Sequence, residues 1–106
     1  QCTYHLIFLQ KAIRVDIEFA RKDAVENKQL FDFFYARKNE IEHKFGQPLE
    51  WLRLDAKKSS RIEFILNTDG HNQDLWQSHI AWHLEHIQKL EQAFKPYMNE
   101  AYQVIK

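Results

Sequence analysis

Residues 45–55 read Phe-Gly-Gln-Pro-Leu-Glu-Trp-Leu-Arg-Leu-Asp, and this stretch marks the point where a helix ends and a strand begins. Gly46 can adopt the left-handed backbone that terminates a helix, and Pro48 prevents the helix from continuing. Residues 49–54, which include Trp51, are rich in the large apolar side chains typical of strands. The stretch therefore separates a first half that ends in a helix from a second half that begins with a strand.

Upstream of this stretch, the pattern predicts two strands and a helix. Residues 4–9 are partly apolar on both strand faces, whereas residues 14–19 alternate between apolar and charged side chains. The short connection between them favours an antiparallel hairpin. Asn27 is predicted to cap the helix that follows. One stripe of that helix is apolar and is expected to face the sheet: Leu30, Phe34, Ile41 and Phe45, with Phe31 and Tyr35 at its edge.

Downstream, the pattern predicts the same succession again. Residues 49–54 and 61–66 form two strands joined by a polar turn, and a long helix begins near Gln73. Pro96 is expected to kink or end that helix. The apolar stripe of this helix is predicted to pack on the sheet: Trp76, Ile80, Leu84, Ile87, Phe94, Met98, Ala101 and Ile105.

The order strand–strand–helix–strand–strand–helix predicts an α+β fold, with a four-stranded antiparallel sheet and two helices on one face. We expect one domain over residues 1–106, and a fragment or C-terminal module of a longer protein because the chain starts at Gln1. The opposite sheet face is expected to carry four carboxylates: Asp16, Glu18, Glu50 and Glu63.

Composition excludes several classes of protein. Among 106 residues, 15 basic side chains balance 15 acidic ones, and the sequence pI of about 7.2 lacks the basic footprint of a typical nucleic-acid-binding domain. The single cysteine, Cys2, excludes an internal disulfide and is consistent with a reducing compartment, so a cytoplasmic location is expected. The apolar runs are too short to span a bilayer, so no membrane contact is expected.

Several short motifs occur in order along almost the whole chain: Arg14-Val-Asp-Ile-Glu18, Asn27-Lys28-x-x-Phe31-Asp32, Lys38-x-x-Ile41-Glu42, Phe45 to Asp55, Ser60-Arg61-Ile62, Trp76, and Leu90-Glu91-x-Ala93-Phe94-Lys95-Pro96. Together they resemble the bacterial "domain of unknown function 4268" family. The most specific part is residues 46–55. The resemblance implies a small α+β module, often at the C-terminus of larger bacterial proteins, some with a nuclease-like N-terminal part. It implies no established activity and no catalytic residue.

Nuclease chemistry requires particular residues on adjacent strands. A restriction-type site combines an aspartate with Glu-x-Lys, so that the carboxylates hold Mg²⁺ and the lysine polarises the phosphate. The predicted strand carboxylates lack that lysine. Residues 26–28 and 42–44 match Glu-x-Lys only in their letters, because they fall on the first predicted helix. We therefore predict no catalytic residue in this chain.

Metal, cofactor and nucleophile signals are also weak. His79, His83 and His86 share one side of the second helix, but no carboxylate or cysteine at ligand spacing completes a metal set. We expect them beside an apolar seam and predict no metal. Two glycines cannot form a phosphate-binding loop, so no cofactor is predicted. No serine lies in a Gly-x-Ser-x-Gly motif.

Two surfaces remain as candidates for binding. Lys57, Lys58 and Arg61 form a basic turn with Arg53 nearby, which is either a phosphate contact or a solvated hairpin tip. Three apolar residues lie off the main stripes and form either a seam between the helices or a contact for a partner: Leu75, Trp82 and Phe33.

The sequence thus predicts an accessory or interaction module without a catalytic site. Its expected partners are other domains of the parent protein or further copies in a homo-oligomer. The alternative is an accessory domain that contacts nucleic acid and is attached to a nuclease-like protein.

Overall fold

Four antiparallel strands form one sheet in the computed structural model, which describes residues 2–106. The strands are β1 (Cys2–Phe8), β2 (Ala12–Phe19), β3 (Glu50–Leu52) and β4 (Ser60–Asn67), and their order across the sheet is β1-β2-β4-β3. The two hairpins therefore meet through the central pair of β2 and β4, and β1 forms one edge. The predicted strand at 49–54 is confirmed in a shorter form.

Helices cover one face of this sheet, as the sequence predicts. They are α1 (Ala24–Tyr35), α2 (Lys38–Phe45), α3 (Trp76–Phe94) and α4 (Met98–Val104). Each predicted helix is thus divided in two, the second one by a 3₁₀ turn that contains Pro96. None of the helices in residues 2–106 combines the length and apolar composition needed to cross a bilayer.

The core lies between the sheet and the helices. Val15, Ile17 and Phe19 alternate along β2 on the helix side and are fully buried. Phe34 connects the layers, because its ring stacks on Phe19 with centroids 5.6 Å apart and meets Phe94 edge-on at 5.1 Å. Aromatic pairs in these geometries add to the stabilisation from buried area.

The stretch 45–55 behaves as the sequence predicts. Gly46 has a φ of 101° and its N–H donates to the Glu42 carbonyl at 2.8 Å, which ends α2. The Glu42 carboxylate then accepts from the Leu49 N–H at 2.8 Å and from Trp51 Nε1 at 2.9 Å. One side chain of the ending helix therefore holds the start of β3.

The predicted cap at Asn27 is wrong. Asp23 caps α1 instead, since its carboxylate accepts from the Val25 N–H at 2.8 Å. Asn27 lies one turn inside the helix and is fully buried. Its amide has partners inside the domain, so the helix can begin earlier at a residue whose side chain remains at the surface.

The predicted apolar stripe of α3 is also wrong over its first half. Trp76, Ile80 and Leu84 are about half exposed, and the buried stripe is rotated by one residue: His79, His83, His86, Leu90, Ala93 and Phe94. A rigid helix can bury only one stripe. In the second half of α3 the stripe that contains Leu90 is the buried one, because Leu90 is apolar whereas the next residue is Glu91. The same rotation then turns histidines toward the sheet in the first half.

Candidate functional site

An uncovered apolar surface lies where the first half of α3 meets the end of β1. We call it the α3–β1 face and define it by five residues whose exposed fractions run from 42% to 53%: Leu6, Phe8, Trp76, Ile80 and Leu84. It exists because α3 buries its histidine stripe and leaves its apolar stripe outside. Contiguous exposed apolar surface of this kind marks interaction sites in soluble proteins.

A hollow of about 400 Å³ lies within this surface. Phe8, Trp76 and Ile80 line it together with Gly70 and His71. Its volume is within the range of small-molecule sites, but such sites place several polar groups to orient the ligand. Among these lining residues only His71 has an ionisable side chain, and the indole N–H of Trp76 is the one other polar side-chain group. The hollow therefore suits an apolar protein side chain better than a polar metabolite.

Beneath the α3–β1 face, histidines attach α3 to the first hairpin. His83 Nε2 donates to the carbonyl oxygens of Ile7 and Arg14, each at 3.2 Å, and its ring meets Phe8 edge-on at 4.6 Å. His79 Nε2 lies 3.3 Å from Thr68 Oγ1. Within residues 2–106, no group of three His, Cys, Asp or Glu side chains could hold a metal ion.

The attachment of α3 is expected to weaken in acid. Burial lowers the pKa of His83 below its ordinary value, so the unfolded chain binds a proton more readily than the folded chain. The free energy of unfolding should therefore fall as the pH drops below about 6.5, the ordinary histidine pKa. Urea unfolding from pH 7.5 to 5 measures this slope. His83→Gln, which retains a donor but does not titrate, should flatten it.

The control is His71→Gln, because His71 is exposed. That variant should keep the slope of the unmodified protein. An equal slope in His83→Gln and the unmodified protein would contradict a role for His83 in acid sensitivity.

The open face of the sheet carries the four predicted carboxylates, and their placement there is confirmed by the strand register. Asp16 and Glu63 are cross-strand neighbours and both are buried. Asp16 lies 2.8 Å from His5 Nδ1 and 3.2 Å from Arg14 Nε, and Glu63 accepts from Arg61 Nε at 2.6 Å. Like charges opposite each other destabilise a sheet, so these basic partners stabilise the pair.

The predicted basic turn lies between β3 and β4, and its charges are unevenly available. Lys57 and Lys58 are exposed, whereas Arg61 is paired with Glu63 on the open sheet face. Arg53 is bound by Asp32 at 2.9 and 3.0 Å and by Asp55, and these carboxylates raise its pKa. Arg61 is therefore engaged by a carboxylate whereas Lys57 and Lys58 are exposed, and a nucleic-acid contact by these three residues remains a prediction.

Lys28 fixes the shape of this turn. Its ammonium donates to four oxygens of residues 53–60, and burial lowers its pKa. The acceptors are the carbonyls of Arg53 (2.6 Å), Leu54 (2.9 Å) and Ser59 (2.7 Å) and the hydroxyl of Ser60 (3.0 Å). Because its ammonium makes these hydrogen bonds, Lys28 stabilises the turn and is not available to bind a ligand.

The three predicted partner contacts lie in different surroundings. Trp82 stacks on Phe64 at 5.7 Å and on His86 at 4.4 Å, in the seam between α3 and β4. Phe33 packs against the core under the Arg37 guanidinium, which lies 3.7 Å from its ring centre. Leu75 is half-buried immediately before α3. A partner contact by any of them remains a prediction, and the larger exposed surface is the α3–β1 face.

Comparison with known proteins adds one finding. A family model described as "Domain of unknown function (DUF4268)" matches residues 1–98, which include the whole sheet and α1 to α3. Searches of the curated proteins and of the solved structures gave no match.

Proposed function

The chain belongs to the domain of unknown function 4268 family, and from this premise we propose that it is a non-catalytic interaction module that binds a protein through the α3–β1 face. The partner is another domain of the parent bacterial protein or a second copy of the chain. The proposal depends above all on one observation, the exposure of Trp76, Ile80 and Leu84 on one stripe of α3.

The size of this surface supports the proposal. Large side chains bury roughly 150–250 Å² each, so five of them at half exposure leave on the order of 400 Å² uncovered. Patches of a few hundred Å² on monomers are often functional. At about 25 cal/mol per Å², covering this area is worth on the order of 10 kcal/mol before the costs of association.

The state of the ionisable groups supports a binding role over catalysis. Asp16 and Glu63 are held by arginines on the open sheet face, and His83 is held by two backbone carbonyls. A catalytic site needs convergent groups that can reach a reacting atom. These groups are instead engaged with one another and with the backbone.

Site-specific photocrosslinking tests the proposal. A photoreactive amino acid at Leu84, in cells that produce the protein, is expected to form a covalent product that mass spectrometry identifies as one defined protein. The same amino acid at Val25 is the control, since Val25 is also an exposed apolar residue but lies outside the α3–β1 face. The product should disappear when Ile80→Asp is added. Equal crosslinking from both positions, or none from Leu84, would overturn the proposal.

Contact with nucleic acid through the β3–β4 turn is the competing proposal, and the exposure of Lys57 and Lys58 supports it. Two lysines neutralise few phosphates, so such binding would be weak and would fall steeply with salt. A gel shift on duplex DNA that is lost in the Lys57→Ala/Lys58→Ala variant would favour this alternative. An unchanged gel shift in that variant would reject it.

A further inference from the structure

The edge formed by β1 lacks the usual protection against pairing. Within residues 2–106 only β2 pairs with it, residue for residue from Cys2 opposite Phe19 to Phe8 opposite Ile13, so the register contains no bulge. Residues 2–8 include no Lys, Arg, Asp or Glu and no proline. Natural edge strands are kept from pairing by charges, proline, bulges or a covering element. At one end the Cys2 N–H donates to the Tyr102 hydroxyl at 3.4 Å, so the outer backbone groups of residues 4–8 form the template for another strand.

The exposed stripe of α3 follows the same edge. At one end His79 and His83 lie against Phe8, and at the other Glu91 and Lys95 line a hollow with Cys2 and Tyr4, so α3 runs antiparallel to β1. Phe8, Trp76 and Ile80 share the apolar hollow described above. The uncovered stripe and the uncovered strand edge therefore lie side by side.

We propose that the β1 edge and the α3–β1 face join a second copy of this chain. The two β1 strands pair antiparallel around a twofold axis, and the two α3 stripes pack on each other above them. The inference rests on the proposed function, because it uses the same face, and it commits that function to self-association.

The geometry of strand and helix makes the surface self-complementary. With the axis at Ile7, Leu6 of one copy lies opposite Phe8 of the other, so that residues 6–8 of the two β1 strands pair. Two strand residues span about 6.6 Å and four helical residues about 6 Å. The same axis therefore brings Ile80 of one copy opposite Leu84 of the other. A single twofold rotation thus pairs the β1 strands and also packs the two α3 helices.

A second copy covers the whole surface better than other partners do. A peptide strand would pair with β1 but leave the α3 stripe exposed, and a lone helix would leave the strand edge unpaired. The formal net charge of zero means that two copies do not repel each other overall. The apolar patch, on the order of 400 Å², supplies about half of the roughly 800 Å² per partner that stable interfaces bury, and the paired strand edge adjoins it.

Sedimentation equilibrium of the purified chain tests this inference. We expect a species with twice the mass of the 12.9 kDa chain. Ile80→Asp should raise the dissociation constant by roughly thirtyfold or more, as for a central interface residue, and Leu6→Lys should act in the same direction. Val25→Asp is the matched control and should dimerise like the unmodified protein. Circular dichroism of each variant confirms that it is folded.

A monomer at every concentration at which the chain stays soluble would overturn the dimer, as would equal self-association of Ile80→Asp and Val25→Asp. Photocrosslinking at Leu84 separates this failure from failure of the proposed function. If the chain is a monomer and Leu84 still captures a different protein, only the second-copy inference fails. If Leu84 captures nothing, both fail.

Discussion

Replacing Gly70 by alanine is expected to destabilise the domain by roughly 3 kcal/mol, the upper end of the usual cost of overpacking. A Cβ atom on Gly70 would lie 2.0 Å from the Leu9 carbonyl oxygen and 2.7 Å from that of Ala12. Both atoms belong to the backbone around the β1–β2 turn and cannot move aside as a flexible side chain can. The loop at 68–72 would have to leave the hairpin, which would open the hollow beside Phe8. Urea unfolding measures the loss.

Gly46→Ala is the matched control for this prediction. Gly46 has a φ of 101°, and its Cβ would meet nothing within 4 Å. Its replacement therefore carries only the strain of a left-handed backbone, roughly 1–2 kcal/mol. A loss for Gly70→Ala no larger than that for Gly46→Ala would show that close backbone contact is not what holds the 68–72 loop.

The fold was predictable because its main signals are local. Gly46 and Pro48 end a helix through their own backbone properties, and the alternation in β2 and β4 sets which side chains face the helices. Pro96 interrupts the second helix for the same kind of reason. Signals of this type need no knowledge of the rest of the molecule.

The rotation of α3 was not predictable from periodicity alone. Its first half offers two stripes that differ by one residue, one with Ile80 and Leu84 and the other with His79 and His83. Apolarity favours the first stripe. Which stripe is buried depends instead on Leu90, further along the helix, and on the carbonyl oxygens of β1 and β2 that accept hydrogen bonds from His83. These hydrogen bonds join parts of the chain that are distant in sequence, so the periodicity of the helix alone does not reveal them.

The same misassignment of the buried stripe also influenced the choice of candidate contact residues. Trp82 was chosen because it lies off the stripe that was expected to be buried, and the rotation of α3 brings it onto Phe64 in the seam. For the same reason, three residues of the α3–β1 face were predicted to pack on the sheet: Trp76, Ile80 and Leu84. One signal in the sequence indicates their exposure: Glu91 interrupts the predicted stripe in the second half of α3.

Asn27→Ala is expected to lower the free energy of unfolding by roughly 3 kcal/mol, although its position near a helix start is typical of a cap. The fully buried amide accepts from the Arg21 N–H at 2.8 Å and donates to the carbonyls of Arg21 and Lys58, each at 3.0 Å. Alanine leaves these three backbone groups without partners, at about 1–3 kcal/mol for each that water cannot reach. Chemical denaturation measures the change.

Asp23→Ala distinguishes this internal role from capping. Asp23 makes a surface capping bond to the Val25 N–H, and its loss should cost only about 1 kcal/mol. Asn27 instead joins the segment before α1 to the β3–β4 turn, 31 residues along the chain. Its replacement should therefore also speed amide hydrogen exchange in residues 55–60, which Asp23→Ala should leave unchanged. Equal stability losses with no local change in exchange would refute the assignment.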